Sequence, residues 1–320
     1  MSPNTPYIMT ETIPPVYAGL DIAKATLQFH FQNQQLSLPN TTQGHARLIK
    51  LLSAVPGAHV VCEATGGYER QVVAALQAAE VPVSVINPAR VRHFALAQGG
   101  RAKNDPLDAA VLTAYGQALT PAATPVPDAV LAELRSLVQW RDQLKEQLVR
   151  ARQQAEHTTL PFTLRQQPKL VKHLTRQMAA VEKEMTQVLV RAPRCQEQVK
   201  QLVALDGIGI LTAMSVLSHM PELGQLNRQE AAALAGLAPW TRQSGPWEGQ
   251  RHIGGGRAVV RRALYMSAVT LVRKTAVGLG QFYKRLRDAG KPAKVALTAV
   301  MRKLLLQMNQ TLKNHALKTA

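Results

Sequence analysis

Residues 14–40, "PPVYAGLDIAKATLQFHFQNQQLSLPN", hold three short β-rich apolar runs so close together that only tight turns fit between them. The polar "NQQ" break marks one such turn. After this meander the pattern alternates. Residues 42–54 repeat apolar groups at helical spacing, with Thr41 or Thr42 as the N-cap. "AHVVCEA" (58–64) reads as a buried strand, "GGYERQVVAALQAAE" as a helix opened by glycines, and "VPVSVIN" as another strand. Pro88 opens a further helical segment. "NDPLDAAVLTAYGQAL" (104–119) reads as a helix capped by Asn104 or Asp105, with Pro106 in its first turn. A meander followed by such units folds as a mixed α/β sheet.

The acids of this region fall at element ends. Asp21 closes the first strand and Glu63 the fourth, each behind an apolar run where solvated charge is not expected. Asp105 and Asp108 stand three apart at a helix start and can share a side. Singly, each suits a structural role, and Asp105 with Asp108 suits a cap plus a dipole-favoured acid. As a set, converged carboxylates need a cation, and hard oxygen donors suit Mg2+, with Mn2+ as a substitute. Two such ions would stabilise both the attacking and the leaving oxygen of a phosphoryl transfer.

"PAATPVP" (121–127), with three prolines and no charge, reads as a linker. Residues 128–157 and 169–191 then repeat apolar groups at helical spacing, and Pro161 and Pro168 are expected to separate them. This predicts an antiparallel helical pair, packed on its own chain or coiled with a second copy. "LVALDGIGILTAMSVLSHM" (202–220) reads as helix, Gly-Ile-Gly turn, helix. It resembles a helix-hairpin-helix, in which Gly207 and Gly209 let backbone N–H groups approach a phosphate. A plain helix–turn–helix junction fits equally well.

Charge divides the chain. Residues 1–125 carry 8 Lys/Arg against 7 Asp/Glu, while the whole chain carries 38 against 20, a net of +18. Beyond Trp240 there are sixteen Lys/Arg and two acids, Glu248 and Asp288. An imbalance of this size points to a polyanionic partner, most simply nucleic acid. Aromatic residues are only 4% of the chain, which argues against base stacking as the main mode. Cys62 and Cys195 form no CxxC pair, which excludes a disulfide framework and a zinc site. "MSPNTPYIMTETIPP" lacks the basic and apolar regions of a secretory signal, and no run of about 18 apolar residues offers a membrane span. The expectation is a cytoplasmic protein with no membrane partner.

In "QSGPWEGQRHIGGGR" (243–257), Ser244 sits among glycines, a proline and the basic residues Arg251, His252 and Arg257. The stretch is too rich in Gly and Pro for a helix interior and too polar for a buried strand. On its residues alone Ser244 is a turn residue. Arg261 and Arg262 follow on an amphipathic helix, and Arg242 precedes.

"GLDIAK", "VVCEATGGY" and "AKNDPLDAA" resemble the ribonuclease H-like fold in its RuvC-like version, where an acid on the first strand, a Glu on the fourth and two acids on a late helix hold Mg2+. Actin-like kinases share this topology, and "EATGGYE" faintly resembles their phosphate loops, but Ala23 stands where those loops want Gly. With the "LDGIG" hairpin and "AGLAPWTRQSGPWEGQRHIGGGRAVVRRALYM" added, the chain from about residue 17 to 310 resembles the DEDD transposases of insertion sequences, relatives of the Piv DNA invertase.

The resemblance implies metal-dependent cutting and rejoining of donor and target DNA. Asp21, Glu63, Asp105 and Asp108 would be the acids, and Ser244 the nucleophile that forms a phosphoserine link. Arg242, Arg251, Arg257, Arg261 and Arg262 would lie against nucleic acid. The resemblance also implies a structured non-coding guide RNA as partner and a homo-oligomer, dimer or tetramer, with sites shared between subunits. The expected division is an N-terminal extension (1–15), an α/β ribonuclease H-like (RuvC-like) domain (16–120), a linker (121–127), a helical, coiled-coil-like spacer (128–200) and a mostly α C-terminal domain (201–320). Two other functions fit the residues: a RuvC-like junction resolvase or nuclease using a metal-activated water, and a non-catalytic nucleic-acid-binding scaffold.

Overall fold

A computed structural model describes residues 14–99, 105–240, 243–244, 247–248, 251–273 and 278–319. The chain separates into two compact units, Met1–Val126 and Pro127–Ala320.

The first unit is built on the meander β1 (Val16–Ile22), β2 (Thr26–Phe31) and β3 (Gln34–Pro39). Gln32 and Asn33, both at positive φ, close the β2–β3 hairpin in two residues, and their twist matches that of the flanking strands. Then follow α1 (Thr42–Ser53), β4 (Ala58–Glu63), α2 (Glu69–Ala78), β5 (Val83–Ile86), α3 (Pro88–Ala97) and α4 (Asp105–Leu119). Thr41 caps α1 by accepting from the Gly44 N–H, and Asn87 caps α3 with Pro88 at its first position.

The sheet order is β3-β2-β1-β4-β5. The meander is antiparallel, and β1–β4 and β4–β5 are parallel. Alternation along β1 assigns its faces. Ala18, Leu20 and Ile22 pack with Leu48 and Leu52 of α1 and Val72 and Leu76 of α2. Tyr17 packs on the opposite face with Val61, Val91, Leu112 and Tyr115. Leu20, Leu27, Leu48 and Leu76 are fully buried, each contributing roughly 2–3 kcal/mol.

The second unit begins with α5 (Ala129–Glu156), capped by the Asp128 carboxylate on the Leu131 N–H, and α6 (Pro161–Val190), the two arms of a hairpin. Pro168 does not separate helices as expected but lies inside α6. The N–H it lacks would have bonded the Leu164 carbonyl, and Leu164 is 48% exposed, so water can take that acceptor. Next come α7 (Pro193–Val203), α8 (Ile210–His219), α9 (Arg228–Leu234), β6 (Pro239–Trp240), β7 (Gln243–Ser244), β8 (Trp247–Glu248) and β9 (His252–Ile253). α10 (Ala258–Val272), α11 (Gly278–Asp288) and α12 (Ala293–Thr319) complete it.

Leu134, Val138 and Met185 of the hairpin share one core with Leu202, Leu217, Leu264 and Leu305. The hairpin therefore packs within the unit that carries the basic helices. The fold is a mixed five-stranded sheet followed by a largely helical part, compatible with a ribonuclease H-like N-terminal domain and a helical C-terminal part. Among the described residues no helix is long and apolar enough to cross a membrane.

Candidate active site

Strand register brings the acids of the first unit to one end of the sheet. Leu20 pairs with Cys62 across the parallel β1–β4 ladder, so the next positions, Asp21 and Glu63, are neighbours on adjacent strands. Such strands lie about 4.7–4.9 Å apart. Asp21 shares a face with Tyr17 and Gly19, and Glu63 shares it with Val61, the face that α4 covers.

α4 lies directly on β1. The Gly19 N–H donates to Thr113 Oγ1 at 2.8 Å, and a β-carbon at Gly19 would collide with the Ala109 carbonyl. At the other end a β-carbon on Gly116 would strike the Tyr17 ring. The helix therefore runs antiparallel to the strand. From Gly19 to Asp21 is about 6.6 Å of strand, which matches about four residues of helix. That step places Asp21 beside the first turn of α4, which contains Asp105 and Asp108.

Asp21, Glu63 and Asp108 are each partly buried; the side chain of Asp105 lies outside the described residues. Among the described residues no three His, Cys, Asp or Glu side chains stand close enough to form a metal-holding group. Mg2+ takes only one or two carboxylates, with water and substrate phosphate completing its shell, so a partly buried pair on neighbouring strand ends fits its chemistry. Burial first, then the Glu69 and Glu63 charges, push the Cys62 thiol up to about 12, and strand alternation sets it on the face opposite Glu63.

Two side chains that the sequence reading did not single out shape the loops beyond these strands. Glu69 Oε2 accepts from the Gly67 N–H (2.8 Å), the Thr65 N–H (3.2 Å) and the Thr65 hydroxyl (2.8 Å). Burial pushes the Glu69 carboxyl up, but these hydrogen bonds outweigh it and hold it below its usual range. The loop donors that a kinase would aim at phosphate are thus taken by a carboxylate, which removes the phosphate-loop reading of "EATGGYE". Asn40 donates to the carbonyls of Ala23 (2.9 Å) and Tyr68 (3.3 Å), tying the loop after Asp21 to the loop after Glu63. Its own Oδ1 faces His45 Nε2 at 2.8 Å. The Thr-x-x-x-Glu spacing carries a local capping signal, whereas the reach of Asn40 across 28 residues has none.

In the second unit Ser244 does not lie on an irregular loop. β6 and β9 pair antiparallel, with Trp240 opposite His252, and within that span Ser244 of β7 pairs with Trp247 of β8. Two nested ladders thus carry the serine, and the two-residue strands were too short to show as an apolar run.

The root of this hairpin is locked. The Arg257 N–H donates to the Leu234 carbonyl at 2.8 Å, and Arg261 Nη1 donates to the carbonyls of Ala235 (2.9 Å) and Gly255 (2.6 Å). Gly236 and Gly256, both at positive φ, pass so close that a β-carbon on either would strike the other strand of the root. Arg257 also grips Glu222 through both terminal nitrogens. Arg257 and Arg261, expected against nucleic acid, are therefore engaged in holding the chain. Arg251 is exposed, Arg262 stands 3.9 Å from Asp142, and Arg242 lies outside the described residues.

Gly207 takes φ 77°, where a β-carbon would strike the Leu271 side chain, and Gly209 is the N-cap of α8. Nothing lies within 4 Å of a β-carbon at Gly209, so the start of α8 is open to close approach.

Two family models match the chain. The DEDD transposase model of IS110 elements matches residues 18–164, which include the four acids, and the model of the transposase IS116/IS110/IS902 family matches residues 199–284, which include Ser244. Two pilin gene-inverting proteins, from Moraxella bovis and Moraxella lacunata, are each 28% identical over 300 residues, covering 90% of this chain and 93% of theirs.

Proposed function

For a chain that belongs to the IS110-type transposase family, and is therefore a DNA recombinase, we propose an insertion-sequence transposase that cuts and rejoins DNA with metal help and through a phosphoserine intermediate. The observation that supports this most is the register that makes Asp21 and Glu63 neighbours beside the start of α4. The Moraxella relatives are named for inverting a gene, and an inversion requires DNA strands to be cut and rejoined.

Asp21, Glu63, Asp105 and Asp108 of the ribonuclease H-like, RuvC-like domain would hold Mg2+ or Mn2+. When bound, the metal supplies Lewis-acid stabilisation of charge on the phosphoryl oxygens. Ser244 Oγ attacks the scissile phosphorus while its proton passes to a base. The Oγ–P bond forms, the P–O bond to the departing strand breaks, and that strand's oxygen takes up a proton. Attack by a hydroxyl of a second strand then reverses the chemistry and frees the serine. Arg251 and Arg262 fit phosphate contact, whereas Arg257 and Arg261 act by positioning. The protein is read as cytoplasmic, as a homo-oligomer (dimer or tetramer), and as delegating sequence choice to a structured non-coding RNA, which needs backbone contacts and not base reading.

The test is strand exchange between donor and target DNA, read as junction formation. Asp21→Asn and Glu63→Gln should each lower it by about a thousandfold or more. EDTA should abolish it while leaving most nucleic-acid binding. Full exchange by either variant would refute the role of these acids.

A further inference from the structure

Between β9, α10 and the start of α12 the second unit opens a cleft of about 840 Å³, to which Arg251 and Arg262, fitted above to phosphate contact, both contribute. Its lining includes Arg251, Arg261, Arg262, Lys291, Lys294 and Arg302, and among the described residues no carboxylate. Arg261 is spent on two backbone carbonyls and Arg262 is near Asp142. Arg251, Lys291, Lys294 and Arg302 remain as cations with no ion pair among the described residues. Between these cations the surface is apolar. Ile253, Tyr265 and Val295 line the cleft and are 39%, 43% and 52% exposed.

Four uncompensated cations call for a polyanion. An exposed aromatic ring and two β-branched side chains between them call for a flat apolar group carried by that same polyanion. A duplex hides its base faces in the stack and would offer this cleft only phosphates. A single strand presents phosphates and base faces together. The volume suits a short piece of such a strand and not a helix.

We propose that this cleft holds about one or two unpaired nucleotides of a DNA strand, with a base laid on Tyr265 and Val295 and the phosphates along Arg251, Lys291, Lys294 and Arg302. The proposal rests on the DNA-recombinase reading, because the exchange of strands between duplexes passes through unpaired DNA. It also qualifies the sequence-based expectation that stacking plays little part. Aromatic residues are few, but this one faces the cations.

The test is fluorescence anisotropy on the full chain with three labelled probes: an oligothymidylate of about eight nucleotides, an oligouridylate of the same length, and a blunt DNA duplex. Tyr265→Ala and Val295→Glu change exposed side chains, and unchanged unfolding midpoints confirm the fold. Each should weaken oligothymidylate binding about tenfold while duplex binding stays within about twofold. Unchanged oligothymidylate affinity in both variants would overturn the proposal, as would an equal loss for the duplex. A loss confined to oligouridylate would overturn the assignment to DNA. Failure of the wild-type chain to bind either DNA probe would count instead against the DNA-recombinase reading on which the cleft depends.

Discussion

Arg257 meets Glu222 through both of its terminal nitrogens, at 2.6 and 2.7 Å, across 35 residues of sequence. Burial pushes the Glu222 carboxyl up, but the Arg257 hydrogen bonds and charge outweigh it and hold it below its ordinary range. The pair fixes Arg257 at the point where the Ser244 hairpin returns to α10. Glu222→Gln should cost about 1 kcal/mol of stability, because the pair is part-exposed and partly screened. Strand exchange should fall further than stability alone explains. Urea denaturation beside a junction-formation assay checks both. Since the folded carboxyl lies low, this contribution is present at neutral pH and is lost as pH falls below about 4.5.

Gly19 is the seat of α4. Gly19→Ala should destabilise the chain by about 2–3 kcal/mol, because the added methyl meets the Ala109 carbonyl and has no side-chain rotamer to escape into. The shift would also displace the first turn of α4 from Asp21, so metal-dependent exchange should fall even at temperatures where the protein stays folded. A Gly19→Ala variant as stable as wild type would contradict the placement of α4 on β1.

Much of this arrangement could be read from the sequence. The apolar run of "VYAGLDI" and the helical repeats from residue 42 onward are set by local chain geometry, so strand and helix identities follow from short windows. The pairing of Asp21 with Glu63 could only be anticipated as a convergence of strand ends. β1 and β4 are buried on both faces, so their register is seen only when the two strands are paired. Pro168 misled because a proline inside a helix costs less where its orphaned carbonyl reaches water. Nothing local in the sequence reveals that Arg257 bonds a glutamate 35 residues away or that Arg261 bonds two backbone carbonyls.

Asn40 joins the two loops that follow the acidic strand ends without bearing a charge itself. Asn40→Ala should lower strand exchange by about ten- to a hundredfold, in the manner of a residue that orients metal ligands. Nucleic-acid affinity should hold, because the basic unit is untouched. Parallel exchange and filter-binding assays separate the two. Equal losses in both would make Asn40 a general folding residue.

His45, His59 and His219 are buried, and burial lowers the pKa of each below 6.5. The unfolded chain therefore takes up protons before the folded one does. Stability should be complete above about pH 6.5 and should decline as pH falls below it, a drop that urea midpoints between about pH 7.5 and 5.5 will register. His59→Gln, able to keep a hydrogen bond to Ser84, should flatten part of that decline. A midpoint rising towards acid would reverse the sign of the argument.

The claim on which the account turns is that Ser244 forms a covalent bond to DNA, and a trapped adduct tests it most directly. A suicide substrate whose cut strand diffuses away should leave the wild-type protein joined to DNA through denaturation, in a metal-dependent manner, with the modified peptide mapping to Ser244. Ser244→Ala should give neither adduct nor cut strand, and Asp21→Asn should give no adduct although its serine is intact. Wild-type cleavage by Ser244→Ala without an adduct would contradict the account and point to a metal-activated water as the nucleophile.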